Sequence, residues 1–351
     1  MRALVLRSGG LVVDDIAEPE PDAGQVLVAP RAAGICGSDL HLLDLAGKAE
    51  TPGPDMVFGH EFCAEIVDHG PGTDRTLAAG TLVCSLPLAY SASRGVAMLG
   101  TTPLRNGAFA ERMVLNENLL LPVPNGLSAE LAALTEPMAV GWHAVAMARL
   151  DDGAVPLVVG CGPVGLAVIA ALKVRGIGPV VAADFSPARR RLAEAMGADV
   201  VVDPAVESPY ERWTDALVPE GGAVQPEVVV PLLGWLPSSR PAVVFECVGV
   251  PGLIQQVMAG APRGAQVVVV GACMEPDNFL PIVGLTKELQ VQFAVAYTAG
   301  EFAETLRHLA EGRIDGTPLV TGRVGLDGGA QAFEDLRNPE AHAKILVEPW
   351  R

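Results

Sequence analysis

Val158-Val159-Gly160-Cys161-Gly162-Pro163-Val164-Gly165-Leu166 decides how the second half of this chain folds. The apolar run Pro156 to Val159 enters three glycines spaced G-x-G-x-x-G, and the helix-like stretch Val164 to Arg175 leaves them. Strand, tight turn and helix in that order form a dinucleotide fingerprint. Gly160, Gly162 and Gly165 allow the turn and bring the backbone close to a pyrophosphate, which sits at the helix N-terminus with Pro163 and Val164. Asp184 ends the next apolar run, Val180 to Ala183. Its carboxylate can accept hydrogen bonds from both ribose hydroxyls and repels a 2′-phosphate, which argues for NAD over NADP. Arg189, Arg190 and Arg191 complicate this, because arginine can bind that phosphate. Beside Asp184 they read more simply as a solvated helix face, with Arg189 along the adenine.

Working outward, Pro187 to Met196 reads as a helix, and Val200 to Val202, Ala242 to Cys247 and Gln266 to Val270 as strands. This alternation signals a doubly wound parallel sheet, an α/β fold. Cys247, Val248 and Gly271, at the ends of the later strands, complete the expected cofactor site. Residues 204–240, rich in Pro, Gly and Trp, read as an insertion or elaborated crossover without a functional reading. Upstream the period differs. Residues 1–33 alternate short apolar runs (Ala3 to Leu6, Leu11 to Val13, Val26 to Ala29) with Pro, Gly and Asp, as an antiparallel sheet linked by turns does. Glu65 to Val67 and Thr81 to Cys84 are further strands. Residues 128–150 read as helical, with Ser128 as N-cap and Pro137 starting a second helix or kinking the first. The domain boundary is expected near Asp151-Asp152-Gly153. A helix, Glu301 to Glu311, and a last strand, Lys344 to Val347, close the chain.

With 351 residues the chain has room for two domains, and its 50% hydrophobic and 19% charged composition predicts buried cores rather than disorder. A formal charge of −17 argues against nucleic acid and against an anionic membrane surface. No apolar run approaches the ~20 residues that span a bilayer. Cysteines 36, 63, 84, 161, 247 and 273 show no framework spacing. With no signal peptide expected at the start, they read as reduced thiols in a cytoplasm.

Far ahead of the fingerprint stands Gly34-Ile35-Cys36-Gly37-Ser38-Asp39-Leu40-His41, followed by Gly59-His60-Glu61. Taken singly, a cysteine is more often core than ligand and a histidine more often a satisfied polar group. Together Cys36 and His60 offer zinc a thiolate and an imidazole, and Glu61 and Glu136 offer carboxylates. Ligands drawn from distant segments mark an open catalytic site, whereas a closed structural one draws on CxxC pairs. None is present. The bland reading of Glu136, at a helix start before Pro137, is favourable placement in the helix dipole.

Five segments in one order carry a resemblance: GICGSDLH, GHE, GAFAE (Gly107 to Glu111), EPMAVGWHA (Glu136 to Ala144) and VVGCGPVGL (Val158 to Leu166). Along nearly the whole length the chain resembles the zinc-dependent medium-chain alcohol and polyol dehydrogenases, in the branch of sorbitol and 2,3-butanediol dehydrogenases. The resemblance implies a GroES-like, mostly-β catalytic domain over 1–150, a Rossmann NAD domain over 151–284, and a segment, 285–351, that returns to the catalytic domain. It implies Cys36, His60 and one or both of Glu61 and Glu136 as zinc ligands with water, and Asp39 holding the His60 ring from the second layer. Ser38 and His41 would carry the alcohol proton outward through the cofactor ribose. Many relatives hold a structural zinc with four cysteines in a lobe at residues 84–106. Here Cys84 stands alone there, so one catalytic zinc and no structural zinc is expected, with Cys84 a core residue.

The implied reaction is hydride transfer between a secondary alcohol, diol or polyol and NAD, in a homo-oligomer (dimer or tetramer). Leu42 stands where sorbitol dehydrogenases carry a tyrosine, and Phe293 to Tyr297 lacks the arginine that helps them hold a polyol. Both departures point to a less polar pocket, for a secondary alcohol or small diol. The competing readings are a zinc-free enone or quinone reductase of the same superfamily and an NAD(P)-binding sensor without turnover.

Overall fold

The computed structural model describes residues 1–51, 53–92, 95–218 and 240–351. Most of the expected insertion at 204–240 therefore lies outside the described residues; the helix Pro209–Leu217 is its described part. The chain divides into two compact units, Met1–Glu136 with Phe302–Arg351, and Pro137–Glu301. The helices Thr135–Met147 and Ala299–Ala310 carry the chain across that division.

The first unit is built on a long strand, Gln25–Gly34, in a seven-stranded sheet. One edge of this strand pairs antiparallel with Glu61–His69; the other is shared by Met113–Asn116 over its first half and the C-terminal strand Lys344–Val347 over its second. Leu82–Ser85, Leu120–Pro122 and Val320–Val324 complete the sheet. Leu4, Val28, Phe58, Ile66, Phe109 and Phe333 are among the side chains that fill its core. A second, three-stranded sheet has Arg2–Arg7 at its centre. Cys84 is fully buried and donates to the Ala132 carbonyl (3.2 Å), the core setting expected for it. The lobe that follows it is a hairpin, Leu88–Ser91 with Gly95–Met98. It is tied by the buried Arg105 guanidinium, which donates to Ser91 Oγ (3.2 Å) and the Gly95 carbonyl (3.3 Å).

The second unit holds the parallel sheet. Its order is Val200–Val202, Val181–Ala183, Val155–Val159, Ala242–Glu246, Gln266–Val269, Gln290–Phe293. The strands before Gln290–Phe293 run mostly apolar without alternation because helices cover both faces. Winding reverses between Val155–Val159 and Ala242–Glu246, the switch point at which such sheets bind dinucleotides. Gln290–Phe293 pairs parallel with Gln266–Val269, so the sheet runs past residue 284. Its polar-apolar alternation, QVQF, hides it from a search for continuous apolar strands.

Candidate active site

Sheet register assembles the metal-ligating group. Gly34 pairs with Glu61 across the two central strands, so the end of one strand, which leads to Cys36, lies beside the start of the other. Cys36 is the N-cap of the helix Gly37–Lys48, an end where the helix dipole favours negative charge. Candidate ligand atoms of Cys36, His60 and Glu61 all lie within 4.8 Å of one another. Soft thiolate, imidazole and carboxylate at that spacing suit zinc, whose tetrahedral ligands stand roughly 3.5 Å apart. Glu136 opens the helix Thr135–Met147, half-buried and outside that group of three, yet close enough for its charge to be felt by Lys344.

Asp39 is fully buried and serves both principal ligands. Its Oδ2 accepts from the Cys36 backbone N–H (2.9 Å), and its Oδ1 lies 3.3 Å from His60 Nδ1. That leaves His60 Nε2 for a metal, with Ser38 Oγ 3.5 Å from it. Burial works against the imidazolium, but Asp39 and then the Cys36 sulfur outweigh it and hold the His60 pKa well above its ordinary value. Ser38 and His41 are exposed and three residues apart, on one face of the same helix. Leu42 packs against the apolar core of its unit, so the specificity argument loses that residue. The other histidines have structural neighbours: His69 the Leu77 carbonyl (2.9 Å), His143 Glu301 (2.9 Å), His308 Glu304 (3.7 Å) and His342 Thr321 (3.3 Å).

One residue of this site escapes the sequence reading. Lys344 opens the C-terminal strand and is fully buried, with Nζ 2.8 and 2.6 Å from the two Glu61 oxygens and 3.0 Å from the Ile35 carbonyl. Burial opposes its charge, but Glu61 and then Cys36 outweigh that and raise its pKa. The available signal was a lysine heading a wholly apolar strand, Lys344-Ile345-Leu346-Val347, since a buried charge requires a partner.

In the second unit the fingerprint glycines are dictated by space. A Cβ on Gly165 would lie 1.8 Å from the Gly160 carbonyl oxygen, and one on Gly160, at φ +91°, 2.5 Å from Val248 Cγ2. Gly162 caps the helix Pro163–Val174, with proline at its first position, as an anion-binding helix start requires. Cys247 and Val248 follow the strand Ala242–Glu246 across the switch point, and the Gly271 backbone packs on Val248 and Gly249. Glu246, not singled out from sequence, accepts from the Val248 and Gly249 N–H groups (2.7 and 2.8 Å) and fixes this loop. Burial and then Asp184 push the Cys161 thiol up to about 12, so it is a neutral spacer.

Asp184 ends its strand with Oδ2 accepting from the Cys161 N–H and Oδ1 from the Ser186 N–H, both at 2.8 Å. Each oxygen keeps a lone pair for a further donor. The three arginines separate. Arg190 is tied to Asp203 (2.8 Å) and to the Asp184 and Phe185 carbonyls, Arg191 is exposed, and Arg189 lies over Gly162 with Nη1 4.0 Å from Asp184. Arg189 Nε is buried without a partner, an orphan donor beside the fingerprint.

Residues 22–125 match the family model of the alcohol dehydrogenase GroES-like domain, and residues 163–311 that of the zinc-binding dehydrogenases. The chain is 31% identical to (R,R)-butanediol dehydrogenase of Bacillus subtilis (strain 168), over 96% of each chain. It is also 31% identical to sorbitol dehydrogenase of Ovis aries, over 93% of this chain and 90% of that one. A solved chain from Sinorhizobium meliloti 1021, bound to NADP, superposes with a TM-score of 0.80 at 26% identity over 99% of both.

Proposed function

The chain belongs to the zinc-dependent medium-chain alcohol and polyol dehydrogenases, oxidoreductases acting on CH–OH donors with zinc and a nicotinamide cofactor, and we propose that it oxidises a secondary alcohol or small diol with NAD. The observation that carries this is the group of half-buried Cys36 with buried His60 and Glu61, together with a glycine fingerprint followed by Asp184 at the next strand end. A less polar pocket than a polyol needs is supported by Phe293 to Tyr297, which offers no arginine. The butanediol dehydrogenase likeness fits the same choice.

In this reading Cys36 and His60 would hold the ion with one or both glutamates, and Asp39 beside His60 Nδ1 leaves Nε2 free to serve as the ligand atom. Bound zinc supplies Lewis acidity that brings an oxygen acid's pKa from about 16 to near 7, and a bound nicotinamide supplies the hydride acceptor. Ser38 takes the hydroxyl proton of the alcohol and His41 passes it to solvent. The carbinol carbon gives up a hydride, and the product is a ketone or aldehyde. Gly160, Gly162, Pro163, Val164 and Gly165 seat the pyrophosphate. Cys247, Val248 and Gly271 would line the rest of the cofactor site, with Asp184 to accept from the ribose hydroxyls and Arg189 beside the adenine.

One zinc per chain follows, since Cys84 has no partner cysteines in its lobe. The six free cysteines accord with a cytoplasmic setting. Among the described residues no helix is long and apolar enough to cross a membrane. A homo-oligomer, dimer or tetramer, accords with the exposed Leu280, Ile282, Leu285, Phe293 and Val295 around the sheet-edge strand Gln290–Phe293. Elemental analysis after removal of loosely bound metal tests the centre. About one zinc per chain is expected; a value near two would point to a second site, and zero after zinc addition would favour the zinc-free reductase.

A further inference from the structure

Two buried cysteines face one another across the first unit's larger sheet. The strands Glu61–His69 and Leu82–Ser85 run antiparallel with Ala64 opposite Val83 and Glu65 opposite Leu82, so Cys63 stands opposite Cys84. The Ile66 N–H donates to the Thr81 carbonyl (3.0 Å), which makes that pair a hydrogen-bonded one. Pair types alternate along an antiparallel ladder. Cys63 and Cys84 therefore occupy a non-hydrogen-bonded pair, where side chains approach most closely. Such pairs hold their Cα atoms roughly 4.5 Å apart, inside the span of about 4.4–6.8 Å that a disulfide bridges. Both side chains are fully buried, and the Cys63 thiol is hydrogen-bonded to Cys84. The Cys84 thiol in turn donates to the Ala132 carbonyl (3.2 Å). Neither sulfur belongs to the metal-ligating group or to the cofactor fingerprint.

We propose that Cys63 and Cys84 are an oxidation-closed latch: hydrogen peroxide joins them in a cross-strand disulfide that stabilises the first unit. One sulfur attacks the peroxide O–O bond and becomes a sulfenic acid, releasing water. The other sulfur then displaces a second water and forms the S–S bond. The two thiols are oxidised by two electrons in all, and the peroxide is reduced to two waters. Closure leaves no buried acceptor unmet, because Thr135 Oγ1 already donates to the Ala132 carbonyl (2.7 Å). The oxidant reaches the pair by local opening. Leu82–Ser85 lies next to the sheet's short edge strand, Leu120–Pro122, and parting of these two strands opens a path to Cys84. The disulfide closes residues 64–83 into a loop and so restricts the unfolded chain. In a reducing setting the pair stays as thiols, and thiol exchange reopens it after oxidation.

The test treats zinc-loaded protein with hydrogen peroxide under conditions that leave its zinc content unchanged, so that Cys36 is not the group oxidised. Thiols are counted in denaturant, disulfides are mapped by peptide mass with and without reductant, and the urea midpoint is followed. Two of the six thiols should be lost, in a peptide pair joining Cys63 to Cys84. The midpoint should rise by roughly 1 M urea, the scale of closing a loop of this length. Dithiothreitol should reverse both changes. Cys63→Ala should form no such link and gain nothing in midpoint on the same treatment. Three results would overturn the proposal: thiols at 63 and 84 that survive while other cysteines oxidise, a sulfinic acid at either in place of the link, or a linked protein no more stable than the reduced one. Should Cys63→Ala not fold, the peptide map and midpoint of the wild-type protein before and after reductant decide. A reversible link with a higher midpoint supports the latch, and the lack of either sinks it.

Discussion

Asp39 touches both principal ligands, so the consequences of a single proton or a single atom are sharpest around it. The His60 pKa is raised in the metal-free protein, which means the imidazolium is retained above its ordinary value near 6.5. Zinc must expel that proton, so the imidazole makes apparent zinc affinity rise with pH, by up to about tenfold per unit, until the raised value is passed. The metal-free fold has the opposite slope. A raised folded pKa contributes stability below the unfolded value, and that contribution is lost as pH rises through the folded one. Denaturant midpoints of metal-free protein should therefore fall over that window, and in Asp39→Asn the fall should be much smaller. Cys36→Ala and His60→Ala should abolish turnover while NADH fluorescence titrations stay close to wild type, because the fingerprint belongs to the other unit. Ser38→Ala should lose about 10²–10⁴-fold in kcat, the scale of one acid–base group. Asp184→Ser removes a charged acceptor worth roughly 1.5–3 kcal/mol, so kcat/KM for NAD should drop at least about tenfold while that for NADP rises. A wild-type enzyme that already prefers NADP would mean Arg189 outweighs Asp184. Cys36, His60 and Asp39 were legible because each sits in a short motif; Lys344 was not, since its partner lies across the sheet and no local spacing announces it.

Between residue and domain, the hairpin of Leu88–Ser91 and Gly95–Met98 is one whose two strands are tied by an arginine. The buried Arg105 guanidinium bridges the two strands, bonding the half-buried Ser91 hydroxyl and the Gly95 carbonyl, and its loss removes both bonds. Arg105→Met should cost about 2 kcal/mol in a denaturant titration, the scale of hydrogen bonds to a charged group. Zinc content should not change. A variant as stable as wild type would show that the apolar contacts of Leu99 and Ala97, not the arginine, hold the lobe. At this scale the sequence was most readable where period is plain. The strands Val155–Val159, Val181–Ala183 and Val200–Val202 are uniformly apolar, and the helices Pro163–Val174 and Pro187–Ala195 start at Gly162 and Ser186 with proline at their first positions. Gln290–Phe293 was obscured by its glutamines, one of which, Gln292, bonds Gln266 in the neighbouring strand (3.2 Å).

For the molecule as a whole, the two motifs lie on separate compact units, Cys36 and His60 on one and Gly160 to Gly165 on the other. The last strand, Lys344–Val347, and its return to the first unit were expected from the sequence and the resemblance; its register, pairing with residues 33 and 34, was not. Register of that kind arises from tertiary packing rather than from local pattern. The central claim is that this assembly removes a hydride from a secondary carbinol and delivers it to NAD under the control of the Cys36–His60 metal. The most direct measurement is the initial rate of NADH formation by zinc-loaded protein across simple alcohols, small secondary diols and longer polyols, with Cys36→Ala alongside. Highest kcat/KM on the secondary alcohols and small diols, abolished in Cys36→Ala, is the predicted result. Undiminished turnover in Cys36→Ala, or none on any alcohol by zinc-loaded wild type, would contradict it.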